Sequence, residues 1–192
     1  SPQGAWIYYS SVFLRSVGYP LGVCHLTNSQ LASLQGPMVA TTLKKMGYNS
    51  RMSRAVTFGP SKYGGLAFHD LRVEQGVESI HLLMRHLRFP GQPQKMALIT
   101  LDRLQHNSGL GTHLLETPHI YAPHLEGLWI PQIRKFLHSI EGSLQIADLK
   151  IQPLQRQDDY YIMDAVISSR RFSASEISRI NYCRLFLKIL SV

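Results

Sequence analysis

Three carboxylates in the last third of the chain have the spacing that most invites catalysis. Asp158 and Asp159 are adjacent, and Asp164 follows shortly after them. Paired carboxylates can hold Mg²⁺ for phosphoryl transfer. Here, however, the pair follows the polar residues 155–157 (QRQ) and no apolar strand. Acidic residues are also favoured at the positive N-terminal end of a helix, so we expect carboxylates at a helix start, and we assign no catalytic residue.

The nine histidines raise the question of a bound metal. The closest group, His113, His119 and His124, lies in one predicted loop at spacings of six and five residues. Zinc motifs on a helix place two histidines one turn apart, whereas His81 and His86 are five apart and point to different helix faces. We expect the loop histidines to bond to the backbone or contact phosphate, and we predict no metal site.

The glycine-rich residues 59–64 (GPSKYG) fit neither of two catalytic loops. In a GxSxG nucleophile elbow the second glycine would stand one residue earlier, and a helix would follow directly. A phosphate-binding P-loop requires Gly-Lys-Ser/Thr after four intervening residues, and this segment has no such triplet. The spacing therefore predicts a turn without nucleophile or phosphate chemistry.

A cluster of cations and aromatic residues surrounds this turn. Between residues 44 and 72 only Asp70 is negatively charged. Cations neutralise phosphates, and aromatic rings stack on unpaired bases. We call the following residues the basic cluster and predict that they bind nucleic acid: Lys44, Lys45, Tyr48, Arg51, Arg54, Lys62, Tyr63 and Arg72. A solvated basic face is the alternative interpretation.

The composition of the 192-residue chain agrees with a polyanionic partner. Twenty Lys and Arg against twelve Asp and Glu give a formal charge of +8, which favours nucleic acid over a membrane surface. Ordinary solubility charge would give the same sign. Cys24 and Cys183 stand far apart without a paired motif, so a reducing, intracellular compartment, nuclear or cytoplasmic, is expected instead of secretion. The sequence has no apolar run of about 18 residues, so it predicts no membrane-spanning helix.

Helical periodicity dominates the elements that position these residues. We predict a mainly α-helical fold, an irregular bundle of about six to seven helices. Capping boxes begin two of them, at Thr27 and Ser173, and Asp70 caps another. Short β-favouring runs at 56–58 and 66–68 predict a small hairpin or extended pair, in which Gly64 and Gly65 shape the turn. The predicted helices span 5–17, which Gly18 and Pro20 end, a run from Thr27 through Leu31 and Leu43 that Gly36-Pro37 kinks or splits, 71–89, 94–106, 125–141 and a last run after Ser173. The apolar face of 71–89 is expected to comprise Val73, Val77, Ile80, Met84 and Leu87, and Pro131 is expected in the first turn of 125–141. Residues 144–151 are predicted as a short strand or a loop, and residues 160–167 as either helix or strand.

The order of these elements predicts three parts. Residues 1–106 form a helical segment with a basic, glycine-rich junction at 46–76, residues 107–124 form a loop or linker, and residues 125–192 form a C-terminal helical segment. The first residue is not Met, and the last residues follow an apolar helical pattern. We therefore expect a fragment of a longer chain.

The junction carries a family resemblance. Pro60-x-x-x-Gly64-Gly65-Leu66-x-x-x-Asp70-Leu71 resembles the P-x-x-x-GGLG-x-x-DL signature that follows the palm and thumb of reverse transcriptases from retroelements without long terminal repeats. The family's usual glycine after Gly-Gly-Leu is Ala67 here, and His69 precedes the aspartate. The Tyr-x-Asp-Asp turn of the palm is missing, since residues 158–160 run in the opposite order and lie downstream.

The resemblance implies a thumb-side, post-polymerase segment of an RNA-directed DNA polymerase that lacks the palm active site. It implies template-primer RNA or DNA and the rest of the polymerase chain as partners, with no membrane. It implies no cofactor in this segment, because Mg²⁺ belongs to the palm. Two alternatives stay open: a stand-alone helical protein-interaction scaffold without enzymatic activity, and a metal-dependent hydrolase that uses Asp158 and Asp159.

Overall fold

The protein is mainly helical in a computed structural model that describes residues 1–125, 127, 129–147 and 149–192. Packing divides the chain into two compact units, Ser1–Leu82 and Leu83–Val192. The helices are α1 (Pro2–Ile7), α2 (Leu14–Leu21), α3 (Asn28–Lys45), α4 (Arg54–Phe58), α5 (Leu71–Arg88), α6 (Gln92–Ser108), α7 (Trp129–Ser139), α8 (Ile162–Ser169) and α9 (Ala174–Leu187). None of the helices in these ranges is both long and apolar enough to span a membrane.

The predicted mainly α-helical fold is confirmed, although the helix boundaries differ from the predicted ones. A π-helical turn, Tyr8–Phe13, joins α1 to α2, so the first helix extends beyond the predicted 5–17. The expected stop signals Gly18 and Pro20 lie inside α2. Two short helices, α4 and α8, fall where the sequence predicted a strand or left the type open, which accounts for the larger number of helices.

The predicted caps are present. Thr27 and Gln30 form a reciprocal capping box at the start of α3, and Ser173 and Glu176 form another at the start of α9. Of the two outcomes expected at Pro37, a kink or a split, the split does not occur, because α3 continues through it. Because side chains on both sides of Pro37, including Leu31 and Val39, are buried in one core, packing holds the two halves together despite the missing N–H.

A buried polar contact, the Tyr9–Gln35 clamp, fixes the beginning of α5. The Tyr9 hydroxyl donates to the His69 carbonyl at 2.8 Å and accepts from Gln35 Nε2 at 2.9 Å. Gln35 Nε2 also donates to the His69 carbonyl, while its Oε1 accepts from the Leu71 amide at 3.2 Å. Tyr9 and Gln35 are 0% and 3% exposed, so these groups have no access to bulk water and depend on one another. The pKa of Tyr9 is raised to about 12, mainly because burial disfavours the phenolate.

The predicted hairpin at 56–68 is not formed. Residues 56–58 lie in α4, which Ser53 caps by accepting from the Val56 amide. The non-helical residues 66–68 donate instead to carbonyls at the end of this helix: Leu66 to Val56 at 2.8 Å, Phe68 to Thr57 at 3.0 Å, and Ala67 to Gly59 at 2.9 Å. The last carbonyls of a helix lack intrahelical donors, and the amides of residues 66–68 are those donors here.

Helix α5 begins where predicted, but its fully buried side chains differ from the predicted ones, of which Val77, Ile80, Met84 and Leu87 are half-buried. Asp70 Oδ1 accepts from the Arg72 amide at 3.0 Å, which confirms the predicted cap. The expected apolar face began at Val73, yet Val73 is 48% exposed, whereas Leu71, Ser79 and Leu83 are buried. The error arises because a small polar residue such as Ser79 can line a packed helix face, which hydrophobicity alone does not indicate.

The second unit encloses residues 107–124, which the sequence predicted as a loop or linker. Residues 107 and 108 end α6, and residues 109–124 form turns outside any helix. Polar side chains hold these turns in place. Gln105 Nε2 donates to the carbonyls of Leu110 and Thr112 at 3.0 and 2.9 Å. Arg134 donates to three further loop carbonyls, those of Leu114, Thr117 and Ile120. The loop is therefore part of this unit's core.

Two predicted elements include residues outside the described ranges. The predicted helix 125–141 includes 126 and 128, and the predicted short strand or loop at 144–151 includes 148. The described helix α7 begins at Trp129 and has Pro131 in its first turn, as predicted. Residues 160–167, for which helix and strand were both open, contain most of α8.

We expect Gln35→Leu to lower the free energy of unfolding by about 2–3 kcal/mol, because it leaves the buried Leu71 amide without an acceptor and the Tyr9 hydroxyl without a donor. Urea unfolding measures the loss, and amide hydrogen exchange should accelerate at Leu71. The matched control is Gln132→Leu on the exposed face of α7, which should change stability little. Equal effects of the two substitutions would contradict the clamp.

Candidate nucleic-acid interface

The first part of the basic cluster lies at the end of α3. Lys44 and Lys45 occupy its last turn, and Gly47, with a φ of 87°, leads the chain out of the helix. Cations at this position complement the negative end of the helix dipole. Tyr48 follows and is 41% exposed. Two cations and an aromatic ring thus lie within five consecutive residues on an accessible surface.

The loop between α3 and α4 exposes Arg51. Asn49 Oδ1 accepts from the Arg51 amide at 2.8 Å, so a local turn fixes the backbone there. The Arg51 side chain is exposed. Within the described parts of the chain, no carboxylate lies within 4 Å of the charged groups of Lys44, Lys45, Arg51 and Lys62. These four cations can therefore engage an external anion without breaking an ion pair seen in the structure.

The remaining two cations of the cluster share one carboxylate. Asp70 Oδ2 lies 3.0 Å from Arg54 NH2 and 2.6 Å from Arg72 NH2, and the Asp70 side chain is only 10% exposed. The Arg54 guanidinium also lies 4.8 Å from the centre of the Phe58 ring. The structure therefore assigns Arg54 and Arg72 first to the junction itself, which the sequence pattern did not distinguish from phosphate binding.

The arginine contacts set the charge state of Asp70. Burial alone would raise its pKa, but hydrogen bonds from the side chain and amide of Arg72, together with the charges of Arg72 and Arg54, outweigh burial and lower the pKa. The Arg72 pKa is correspondingly raised, mainly by its hydrogen bond to Asp70. The pair is thus stable in its ionised form.

The turn after α4 presents the most exposed aromatic ring of the cluster. Ser61–Tyr63 form one 3₁₀ turn, and the Lys62 amine lies 5.5 Å from the centre of the Tyr63 ring. Tyr63 is 79% exposed. An exposed ring beside a cation can stack on an unpaired base while the amine approaches the adjoining phosphate.

The two glycines of the turn are required for different reasons. Gly64 has a φ of 81°, a left-handed conformation that favours glycine. Gly65 has no such torsion, but a Cβ atom there would lie 2.1 Å from the Gly59 carbonyl oxygen. The predicted role of both residues in shaping the turn agrees with this geometry, through torsion in one and close backbone approach in the other.

Ala67 adopts a conformation that is unfavourable for alanine. Its φ is 52°, where the Cβ atom crowds the carbonyl of the same residue. Its amide is held by the Gly59 carbonyl at 2.9 Å, and the flanking amides of Leu66 and Phe68 are held as well. The surrounding hydrogen bonds impose the torsion, so residue 67 is a third position in the turn that favours glycine.

The residues that position this surface, Tyr9 and Gln35, were not identified from the sequence. The available signal was the position of Gln35, four residues from both Leu31 and Val39 and therefore on the buried face of α3. A polar side chain at such a position requires partners inside the core. The identity of those partners, the backbone of His69 and Leu71, depends on tertiary structure.

Asp159, Asp164 and His124 have backbone partners, whereas the buried His113 Nδ1 has no hydrogen-bond partner among the described residues. Asp164 lies in the first turn of α8, as predicted, and accepts from the Gly111 amide at 3.0 Å. Burial raises its pKa, and the Gly111 bond partly offsets this. The same prediction, a carboxylate at a helix start, is wrong for Asp158 and Asp159, which lie outside any helix, before α8. Asp159 accepts from the Arg156 amide at 3.3 Å. His124 Nε2 lies 2.9 Å from the Ser108 carbonyl, and burial lowers the His124 pKa. The described residues contain no group of three potential metal ligands.

Comparison of the chain with protein families, with curated proteins and with solved structures finds no match.

We expect the junction to lose stability in acid. Because the folded-state pKa of Asp70 is lowered, its contribution is complete above about pH 4, the ordinary value for an unfolded aspartate, and is lost as pH falls through the folded-state pKa. Asp70→Asn removes this contribution. The stability difference between wild type and Asp70→Asn should therefore stay constant from about pH 7 to about pH 4 and narrow at lower pH, as measured by urea unfolding. If the stability difference does not narrow below about pH 4, ionised Asp70 does not stabilise the junction. The same holds if the exposed-site control Asp102→Asn differs from wild type by as much as Asp70→Asn.

We expect Ala67→Gly to raise the free energy of unfolding by roughly 0.5–1 kcal/mol, the relief of left-handed strain less the added freedom of the unfolded chain. Gly18→Ala is the matched control. It makes the opposite change inside α2, where a Cβ meets no atom within 4 Å, and it should also stabilise. Destabilisation by Ala67→Gly in thermal or urea unfolding would count against the strained torsion.

Proposed function

We propose that the chain is the thumb-side, post-polymerase region of a reverse transcriptase of the class found in retroelements without long terminal repeats. In this role it grips template and primer and performs no chemistry of its own. The observation that carries the proposal is the accessible surface of Lys44, Lys45, Arg51 and Lys62 with Tyr48 and Tyr63. Phosphate contacts by such cations supply affinity without sequence preference.

The backbone of the signature turn supports the resemblance independently of charge. The family pattern has glycine at the positions of Gly64, Gly65 and Ala67. In this chain the first has a left-handed torsion, the second has no space for a Cβ atom, and the third has a φ of 52°. Three positions that carry glycine in the family thus have a backbone that favours glycine here, including the one where this chain departs from the pattern.

The Asp-Leu pair that ends the signature also has a structural reason. Asp70 caps α5 and joins Arg54 to Arg72, and the Leu71 side chain is fully buried while its amide is held by Gln35. The pair therefore connects the charged surface to the core. We expect this arrangement in a junction whose Arg54 and Arg72 must stay in position when a nucleic acid binds nearby.

A second candidate function, a helical protein-interaction scaffold, is favoured by the outer face of α9. Tyr182, Phe186 and Leu187 are 73%, 78% and 61% exposed. Exposed apolar side chains at neighbouring helical positions are typical of protein-docking surfaces. Under this alternative the positive charge is incidental, and charge reversal in the basic cluster should leave nucleic-acid affinity unchanged.

We expect the chain to bind single-stranded RNA or a template-primer duplex with a strong dependence on salt. The double variant Lys44→Glu/Lys45→Glu should weaken binding and reduce the slope of log affinity against log salt by about 0.7 per lost phosphate contact on a single strand. Fluorescence anisotropy at several salt concentrations measures both effects. Arg51→Glu and Lys62→Glu should act in the same direction. Arg54 is unsuitable, because its reversal also breaks the ion pair with Asp70.

The matched control is Lys95→Glu/Lys135→Glu, which makes the same change in net charge at exposed positions outside the basic cluster. If the control weakens binding as much as the Lys44/Lys45 variant, net charge and not this surface is responsible. Incorporation of labelled nucleotide by the chain alone would contradict the non-catalytic role directly.

A further inference from the structure

The second unit contains a cleft that the basic cluster does not explain. It has a volume of about 750 Å³ and lies between the loop 112–121 and the segment from α8 to the start of α9. Binding sites for small organic molecules commonly have volumes of about 300–1,000 Å³ and combine apolar walls with a few convergent polar groups. This cleft has that composition, so its walls indicate what it can hold.

Two aromatic rings and three aliphatic side chains line the cleft. Tyr121 and Phe172 line the cleft and are 59% and 41% exposed, although both are large apolar side chains. Ile120, Ile167 and Ile177 contribute the aliphatic part of the lining. Exposed rings that face a cavity bind flat aromatic molecules by stacking.

One carboxylate is held in the cleft in a fixed position. Asp164 Oδ2 accepts from the Gly111 amide at 3.0 Å, and a Cβ atom on Gly111 would lie 2.8 Å from the same oxygen. A carboxylate has about four lone-pair positions on its two oxygens, so this single bond leaves acceptor capacity in the cleft. Asp164 can therefore accept from neighbouring N–H groups on the edge of a ligand.

A cation lines the same cleft but does not neutralise that carboxylate. Arg170 ends α8 in a left-handed conformation with a φ of 53°, and its side chain is exposed. Among the described residues, Arg170 and Asp164 form no ion pair within 4 Å, although both line the cavity. A ligand that fills the cleft thus meets an acceptor at one place and a positive charge at another, with aromatic and aliphatic walls around it.

We propose that this cleft binds one unpaired guanine nucleotide. The guanine ring stacks on Tyr121 and Phe172, its adjacent N1–H and N2–H groups donate to Asp164, and its phosphate contacts Arg170. Proteins read unpaired bases in this way, by stacking on aromatic rings and hydrogen bonding to the Watson–Crick edge. Adenine and uracil do not present two adjacent donors on that edge, so the carboxylate selects guanine.

A peptide with a free C-terminus is the other chemistry that an arginine and a carboxylate could bind. The two exposed rings favour the nucleotide. A nucleobase can stack on both rings, whereas a peptide backbone has no flat ring to stack on either. The chain's charge of +8 acts in the same direction, since it attracts a phosphate more strongly than a zwitterionic peptide.

The test is calorimetric titration of the full chain with guanosine 5′-monophosphate, and with the adenosine and uridine monophosphates for comparison. Guanosine monophosphate should bind at least about tenfold more tightly than the other two. Tyr121→Ala should weaken its binding about tenfold, within the range of one base–aromatic stack. Asp164→Asn keeps an acceptor for the Gly111 amide but should remove the preference for guanine. Equal binding of the three nucleotides, or no binding at millimolar concentration, would overturn the proposal.

Two controls make the result specific. Tyr182→Ala removes an exposed ring outside the cleft, 73% exposed against 59% for Tyr121. Lys95→Glu/Lys135→Glu lowers the net charge at exposed positions outside both the cleft and the basic cluster. Both variants should leave guanosine monophosphate affinity unchanged. The inference stands or fails independently of the proposed function, since the latter is measured by salt-dependent binding through Lys44 and Lys45. Circular dichroism of each variant tests whether the fold is intact. If Tyr182→Ala lowers guanosine monophosphate affinity as much as Tyr121→Ala does, the nucleotide does not bind in the cleft.

A second arm distinguishes a nucleotide within RNA from a free one. An oligouridine with one central guanosine should bind more tightly than oligouridine alone, and Tyr121→Ala should abolish the difference, if the ligand is part of an RNA strand. The difference should be absent, with guanosine monophosphate binding retained, if the free nucleotide is the ligand. Binding of a short peptide through its free C-terminus, in place of guanosine monophosphate, would reject both arms.

Discussion

The first unit depends on the hydrogen bonds that Tyr9 and Gln35 make to the backbone between His69 and Leu71. A buried amide or carbonyl without a partner costs about 1–3 kcal/mol, and here two side chains from separate helices satisfy both groups. Because these bonds determine where α5 begins, they also determine where Asp70 lies. The ion pairs of Asp70 with Arg54 and Arg72 are therefore consequences of a contact made inside the core.

The cations of the basic cluster therefore form two groups. Arg54 and Arg72 stabilise the junction through Asp70, and the others have no ion pair in the described structure. Arg54 and Arg72 are committed to Asp70, and their charges are partly neutralised by it. Lys44, Lys45 and Arg51 lie on exposed backbone that a helix end and a local turn fix without ion pairing in the described structure. A polyanion can therefore occupy the second group while the first continues to hold the junction, because the two groups do not compete for the same partner.

Sequence reasoning worked best where a single residue type satisfies a backbone group nearby. The capping boxes at Thr27 and Ser173, the Asp70 cap and the turn at Gly64 were all predicted because their partners lie within three residues. It failed where distant partners decide. The β-favouring residues 56–58 became helical because Ser53 caps them and the amides of Leu66 and Phe68 donate to the carbonyls of Val56 and Thr57. Gln35 was missed for the same reason, since its partners are 26 to 36 positions away.

The turn at Gly64, Gly65 and Ala67 shows how a short pattern can carry structural meaning when its residue types do not match fully. A pattern records only which residues occur, whereas the backbone shows why glycine is favoured at each position. Gly64 and residue 67 have left-handed torsions, and Gly65 has no space for a Cβ atom. An alanine at 67 is tolerated because three consecutive amides bond to the end of α4, and these bonds offset a strain of about 1–2 kcal/mol. The fold therefore holds a left-handed torsion at residue 67 even though the residue there is alanine.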